Sequence, residues 1–288
     1  MSEFSLADLA ALPTPEIIET LDFEAILAAR KQELVDRAGA FGFNYDTVGL
    51  ETEPGLILLQ EASYKEVWLR ARGNDIARAH YLYYARGAEV DHLGAFYDTT
   101  RLPGESDDRY KGRIILGIQG RSTGGTGPRY RYVALSASLR VLDAVIYTEG
   151  LSPQVNIAIF ATDNNGVADS TLLALVDAAV QAENVRMVND RIVVRSAVVN
   201  VVAVTADVWL LPNADVTILT ELQNTIPVSW AAEAGLGRDL TVSWLSSRLM
   251  VSGVQRVVMT SPTADVVMSP FQAVRISSLT LTLRGRDF

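Results

Sequence analysis

Few residues in this chain have the types and spacing that chemistry requires, and each candidate falls short in a definable way. The glycine-rich stretch Gly120 to Pro128 (GRSTGGTGP) offers successive backbone N–H groups that could cradle a phosphate. Its final glycine is followed by Pro128-Arg129 where a phosphate loop needs Lys-Ser/Thr, and no strong strand precedes it. A flexible connection opening a helix is the better reading. Asp163-Asn164-Asn165-Gly166 resembles the start of a calcium loop, but Leu172 stands six residues after the glycine, where an EF-hand needs Glu. A tight turn fits that segment. His80 and His92 could join Glu89 and Asp91 around a metal, yet a predicted helix break separates the two histidines and no further ligand pattern accompanies them.

Covalent catalysis fares no better. There is no Gly-x-Ser-x-Gly elbow, and two histidines leave almost no base for a catalytic triad. Zero cysteines remove disulfides, thiolate metal sites and a Cys nucleophile. Acid pairs such as Glu51/Glu53 and Asp107/Asp108 do not by proximity make the two-sided geometry of a glycosidase; the second pair suits the first turn of a helix. The expectation is therefore no catalytic residue, no cofactor and no metal. The aromatic run Tyr81, Tyr83, Tyr84, Phe96 and Tyr97 suits either helix packing or a protein interface, and in an acidic chain a nucleic-acid stacking platform is the weaker option.

The elements that would position such residues divide the 288-residue chain by texture. Apolar residues make up 49% and charged residues 20%, enough to bury a core rather than leave a disordered tail. Thirty-four acids against 25 bases give a net charge of −9, which argues against a general phosphate-backbone binder. The N-terminus lacks the basic start and apolar core of a signal peptide, and no run approaches the ~20 apolar residues of a membrane span. The chain reads as soluble and not exported through the Sec route. All but three of the bases are arginines, the lysines being Lys31, Lys65 and Lys111. Arginine's planar guanidinium suits protein interfaces, and a GC-rich genome would give the same bias.

The spacing predicts a helical region over residues 1–125. Asp22 caps a helix that carries Phe23, Ile26, Leu27 and Leu34 and ends at Gly39 and Gly42. A longer helix starts after Glu53-Pro54, with Leu58, Ala62, Leu69, Ile76 and Tyr83 along one face, and stops near Gly87. A short helix spans Val90 to Tyr97, and Ser106 starts another with Ile114, Ile115 and Ile118 on its apolar side. Beyond the glycine-rich break, a helix over Arg129 to Ser138 leads into strands at Val141 to Thr148 and Val155 to Ala161, a helix at Ala168 to Ala182 and a strand at Ile192 to Arg195. A long strand at Val198 to Leu211, helices at Asp215 to Ala232 and Thr241 to Met250, and strands at Val254 to Thr260, Asp265 to Met268 and Ala273 to Leu283 follow. In the last strand Val274, Ile276, Leu279, Leu281 and Leu283 mark buried positions. The expected class is α+β: a helical N-terminal region (1–125), then two small tandem α+β modules (126–197 and 198–288) with mixed or antiparallel sheets. Nine acids face three bases in residues 1–50, either as a solvated helical face or as an arm meeting a basic partner.

A collinear set of motifs then gives the chain a relation. LPTPEIIETLDFEAILAARK (12–31), LETEPGLILLQEASYKEVWLRARGNDIARA (50–79), VDHLGAFYDTTRL (90–102), ESDDRYKGRI (105–114) and STGGTGPRYRY (122–132) resemble the baseplate assembly protein J family of contractile phage tails. NNGVADSTLLALV (164–176), VRMVNDRIVVRSA (185–197) and GLGRDLTVSWLSSRLMVSGVQRV (235–257) extend the resemblance over almost the whole chain in order. The resemblance implies a structural subunit of the baseplate wedge. Two copies would join one tail-protein-I-like wedge subunit through an N-terminal helical bundle, and a small sheath-initiator wedge subunit would dock on that bundle. The C-terminal modules would contact neighbouring wedges to close a ring around the central hub, whose opening couples to sheath contraction. Such a part would sit in the baseplate of a virion or phage-like particle, assembled in the bacterial host cytoplasm, with neither nucleic acid nor membrane as a direct partner.

The residues expected at these interfaces are Asp22, Phe23 and Glu24 in the acidic segment, Glu61, Tyr64, Trp68 and Arg72 on the long helix, and Arg238 and Asp239 in the Gly-Leu-Gly-Arg-Asp loop. A tight connection with an internal ion pair is the alternative for that loop. Rival functions are a tail-carried hydrolase-like enzyme, opposed by the missing nucleophile, base and metal patterns, and a host-binding adhesin, which would show repetitive β structure. A chain beginning at Arg129 is expected to stay folded yet fail to co-purify with wedge partners; retained binding would refute the placement of the bundle in the N-terminal region.

Overall fold

The computed structural model describes residues 5–44, 53–121, 124–233 and 235–287. The chain forms two compact units, Met1–Arg101 with Ser106–Ile115, and Leu102–Glu105 with Leu116–Phe288. Helices make the first. A short helix, α1 (Leu6–Ala10), is held by the Asp8 carboxylate, which accepts bonds from both the N–H and the hydroxyl of Ser5 at 2.7 Å. The spacing of apolar residues does not announce α1, because five residues are too few to show a period. Helix α2 (Phe23–Ala40) starts where Asp22 accepts the Ala25 N–H at 3.2 Å, and α3 (Pro54–Ala79) starts with proline in its first turn and the Glu53 carboxylate on the Leu56 N–H at 2.6 Å.

Helix α3 ends at Ala79 rather than near Gly87. The reason is tertiary: the Tyr83 carbonyl accepts from the buried Lys111 ammonium at 2.8 Å, and Tyr81 and Tyr83 each meet the Tyr84 ring edge-on. Burial pushes the Lys111 pKa down. Helix α4 (Ala88–Phe96) and helix α5 (Asp107–Gln119) close a small core of Ala85, Val90, Tyr110 and Ile114. Its centre is Tyr110, whose hydroxyl donates to the Thr99 carbonyl at 2.6 Å while the Arg101 and Arg113 guanidinium groups lie 4.7 and 5.5 Å from its ring centroid. Gly94 makes this approach possible, since a Cβ there would fall 1.9 Å from the Tyr110 hydroxyl oxygen.

The second unit contains two three-stranded sheets. Helix α6 (Gly127–Ala137) leads into β1 (Val141–Tyr147), which runs antiparallel to β2 (Gln154–Ala161). A single 3-10 turn at Asn164–Gly166 and helix α7 (Ser170–Val180) then carry the chain across to β3 (Arg191–Ser196), parallel to β2. Tyr130, Leu135, Val141, Ile157, Ile159, Leu172 and Val176 fill the space between this sheet and helices α6 and α7. The second sheet has β4 (Val198–Leu210) at its centre, antiparallel to β5 (Val254–Ser261) on one side and parallel to β6 (Gln272–Arg286) on the other. Helices α8 (Thr217–Glu233) and α9 (Val242–Leu249) cover it, and Trp230 donates from its indole N–H to the Val274 carbonyl at 2.9 Å. Each sheet thus has one antiparallel and one parallel edge, but the connections differ.

Two expectations for the second sheet are corrected. Asp265 to Met268 is not a strand but an isolated bridge between Leu240 and Val266, because its polar groups serve other ends: Asp265 accepts the Val242 N–H at 2.7 Å at the start of α9, and the Met268 N–H goes to Asp239. Leu283, expected inside, is 38% exposed, next to a bulge at Arg284 that shifts the register with β4. Substituting Gly94→Ala is expected to destabilise the first unit by about 1–3 kcal/mol through overpacking against Tyr110. Gly112→Ala, where the interior of α5 leaves open space, is expected to stabilise it by roughly 0.5–1 kcal/mol. Denaturant unfolding of the two variants checks the pair, and equal effects would refute the packing.

Candidate assembly interface

Helices α2 and α3 pair as an antiparallel hairpin, since Arg30 meets Glu66 while Glu19, just ahead of α2, meets Arg70 and Asn74. What holds them is mostly polar. Glu66 accepts from Arg30 at 2.5 Å and from Arg70 at 2.8 Å, and Arg70 reaches Glu19 at 2.9 Å. The Asn74 amide both accepts the Glu19 N–H, at 3.0 Å, and donates to the Glu19 carbonyl, at 2.8 Å. The buried positions of the pair are Leu27, Leu56, Ser63 and Asn74, only two of them large and apolar.

Six large apolar side chains of α3 instead face outward. Ile57, Leu58, Tyr64, Trp68, Leu69 and Ile76 are all more than half exposed. At ~100° per residue, Ile57, Tyr64 and Trp68 fall within a sector of about 40°, and Leu58, Leu69 and Ile76 within about 20°. The two stripes are roughly 100° apart, with Glu61, Lys65 and Arg72 between them. Glu61 and Lys65 pair along the helix at 2.7 Å, and this contact holds the Glu61 pKa below the usual carboxylate range. One helix with two apolar stripes can pack against two further helices at once.

The structure brings Glu61, Tyr64, Trp68 and Arg72 onto one face of α3, all exposed. Asp22 serves as the α2 cap, Phe23 is half-buried and Glu24 is exposed beside it in the first turn. Arg238 and Asp239 lie in the second unit and have separate partners. Arg238 donates to the Glu233 carboxylate and carbonyl, both at 2.7 Å, while Asp239 accepts the Met268 N–H at 2.6 Å. Glu233 also accepts from Arg248 at 2.6 Å and from the Trp244 indole at 3.2 Å. Sequence reasoning missed Glu233 and Glu66 as hubs. Glu66 is visible only in part, through its four-residue spacing to Arg70; the reach to Arg30 depends on the hairpin. Among the described residues no group of three or more His, Cys, Asp and Glu gathers at metal-binding distance, and no helix is long and apolar enough to cross a membrane.

Residues 51–108, which include all of α3 and α4, match the family model described as the Baseplate J-like N-terminal domain. Over its full length the chain is similar to Baseplate protein J of Escherichia phage P2, with 36% identity across 98% of this chain and 99% of that relative.

The Arg30 and Arg70 bonds hold the Glu66 pKa below its ordinary value. Their contribution to the hairpin is therefore full above the ordinary glutamate range, ~4.3, and is lost as the pH falls through the depressed folded value. Protection of α2 amides, corrected for intrinsic exchange, is expected to fall in acid. In Glu66→Gln protection should be lower at neutral pH and this acid dependence diminished; a variant that behaves as the parent would show that the network does not hold the pair.

Proposed function

Because the chain belongs to the baseplate protein J family, and is thereby a structural part of a phage tail baseplate, we propose that it is the ring-forming wedge subunit of a contractile tail. In this reading the α2–α3 hairpin enters a helical bundle with a second copy and a tail-protein-I-like wedge subunit, and the small sheath-initiator wedge subunit docks on that bundle. The two sheet modules, residues 126–197 and 198–288, meet neighbouring wedges around the central hub. Opening of the ring then couples to sheath contraction by exchange of moderate interfaces during a rigid-body rearrangement. The role is assembly rather than catalysis, with protein surfaces as the partners.

The observation that carries this reading is the pair of exposed apolar stripes on α3, a helix whose opposite side is already occupied by α2. Burying a side chain of Leu, Ile or Trp size contributes ~1.5–3 kcal/mol, so two stripes of three residues supply ample drive for a bundle. The hairpin by itself buries little of that surface, which supports a role completed by partner helices.

The double substitution Tyr64→Glu/Trp68→Glu puts two carboxylates into one stripe without touching the α2 contact. Thermal stability of the free subunit is expected to change little, by under about 0.5 kcal/mol per surface site. Co-purification of the second copy and the tail-protein-I-like subunit is expected to be lost. A complex that survives the double substitution would refute the bundle.

A further inference from the structure

The edges of the two sheets are not alike. β1 carries Asp143, β3 carries Arg191 and Arg195, and β5 carries Arg256, charges of the kind that discourage strand addition. β6 is 15 residues long, pairs with β4 on one side only, and holds its three charges, Arg275, Arg284 and Arg286, outside the eight-residue run Ile276 to Leu283, which has no charge, proline or glycine. An open edge of that length and composition is a template for another strand.

We propose that the outer edge of β6 pairs antiparallel with β6 of a second copy across a two-fold axis at Leu281, joining two sheets into one of six strands. The proposal rests on the copy-to-copy role of the second module given above and names the surface. A two-fold between antiparallel strands runs perpendicular to the sheet, so each residue faces one on the same side of it. Centred on Leu281, Leu279 faces Leu283 of the second copy and Thr280 faces Thr282, both favourable cross-strand pairs. Leu283 is the one leucine of this row that its own unit leaves 38% exposed, whereas Leu279 and Leu281 are buried. The pairing covers it.

The ends agree with this register. β6 bulges at Ser277 and at Arg284, one on each side of Leu281, so in an antiparallel pair the extra residues offset one another. Arg275 then lies opposite Asp287, an opposite-charge pair, and Arg284 opposite Ser278, which avoids an arginine–arginine clash. Thr280 and Thr282 are exposed, so neither side chain has to leave a core to make the contact.

The chain contains no cysteine, which allows a direct test on the full-length protein. Opposed residues of an antiparallel pair have Cα atoms ~4.5–5.5 Å apart, within the range a disulfide spans. Under mild oxidation the double variant Thr280→Cys/Thr282→Cys is expected to give a covalent dimer. Thr280→Cys alone and Thr282→Cys alone, each facing a threonine, are expected to stay uncrosslinked. No dimer from a folded double variant would overturn the edge pairing, and a dimer from either single variant would overturn the register. Repeating the oxidation with Tyr64→Glu/Trp68→Glu also present separates the two readings: crosslinking that persists after the helical complex is lost places the copy contact in β6 independently of the bundle, and crosslinking lost with it overturns β6 as a contact in its own right.

Discussion

The second unit depends on a switch made between two adjacent residues. The Ala197 N–H donates to the Ile159 carbonyl at 2.8 Å, extending the first sheet, and the next N–H, from Val198, donates to the Phe271 carbonyl at 3.0 Å, opening the second. There is no linker to flex. One extended segment belongs to both sheets, so the register of β2 with β3 and that of β4 with β6 are set by the same stretch of backbone. Phe160, Ala197 and Ala273 form a small apolar cluster at the crossing, the Tyr147 and Phe271 rings stack at 5.4 Å, and Asp143 accepts the Leu236 N–H at 3.3 Å. Two modules with separate cores are therefore joined without a linker, which in the proposed ring would let them transmit a rearrangement rather than absorb it.

The α2–α3 hairpin follows the opposite logic. Its seam is held by guanidinium–carboxylate bonds and one asparagine bridge, and Ser63 of α3 is buried. Interactions of this kind fix geometry more than they stabilise, because each charge loses hydration as it gains a partner. The hydrophobic contribution is displaced to the outer face of α3. A hairpin built this way is positioned by its own contacts, and in the proposed bundle it would gain its hydrophobic stabilisation from partner helices.

How much of this was legible in the sequence follows from the range of each interaction. Asp22 and Glu53 could be read as helix starts because a cap acts within three residues. The strands were legible from alternation and β-branching, which are local. What lay out of reach depended on distant partners: the end of α3, decided by Lys111 gripping the Tyr83 carbonyl 28 residues away, and the pairing of Arg238 with Glu233 across a turn rather than with its neighbour Asp239. The long helix is the instructive case. Its apolar residues were visible, but they spread over roughly 140° of its circumference at ~100° per residue, and an apolar pattern is ordinarily assigned to the nearest core. Only the bonds of Glu66 to Arg30 and of Asn74 to Glu19 show that the inner side carries the polar contacts.

Part of the arginine complement also serves the chain itself. In the sequence the arginine bias suggested contacts for partners, but many guanidinium groups are engaged within the chain, several of them bridging two acids or sharing one. Arg101 holds Asp91 and Asp107, Arg140 holds Asp163 and Asp169, Glu66 gathers Arg30 and Arg70, and Glu233 gathers Arg238 and Arg248. A planar fork can join two carboxylates in defined directions, which a single ammonium point charge does less well, so arginine acts here as a staple between elements. The two surfaces proposed for association, apolar side chains on α3 and backbone groups along β6, lie apart from these staples. These differ in what they select. A helical stripe accepts partners by the size and spacing of side chains, whereas a strand edge offers hydrogen bonds common to every backbone and gains selectivity only from register. In the proposed assembly the α3 stripes would select helices, from a second copy and from an unlike subunit, by side-chain fit, and the β6 edge would select its own copy by register.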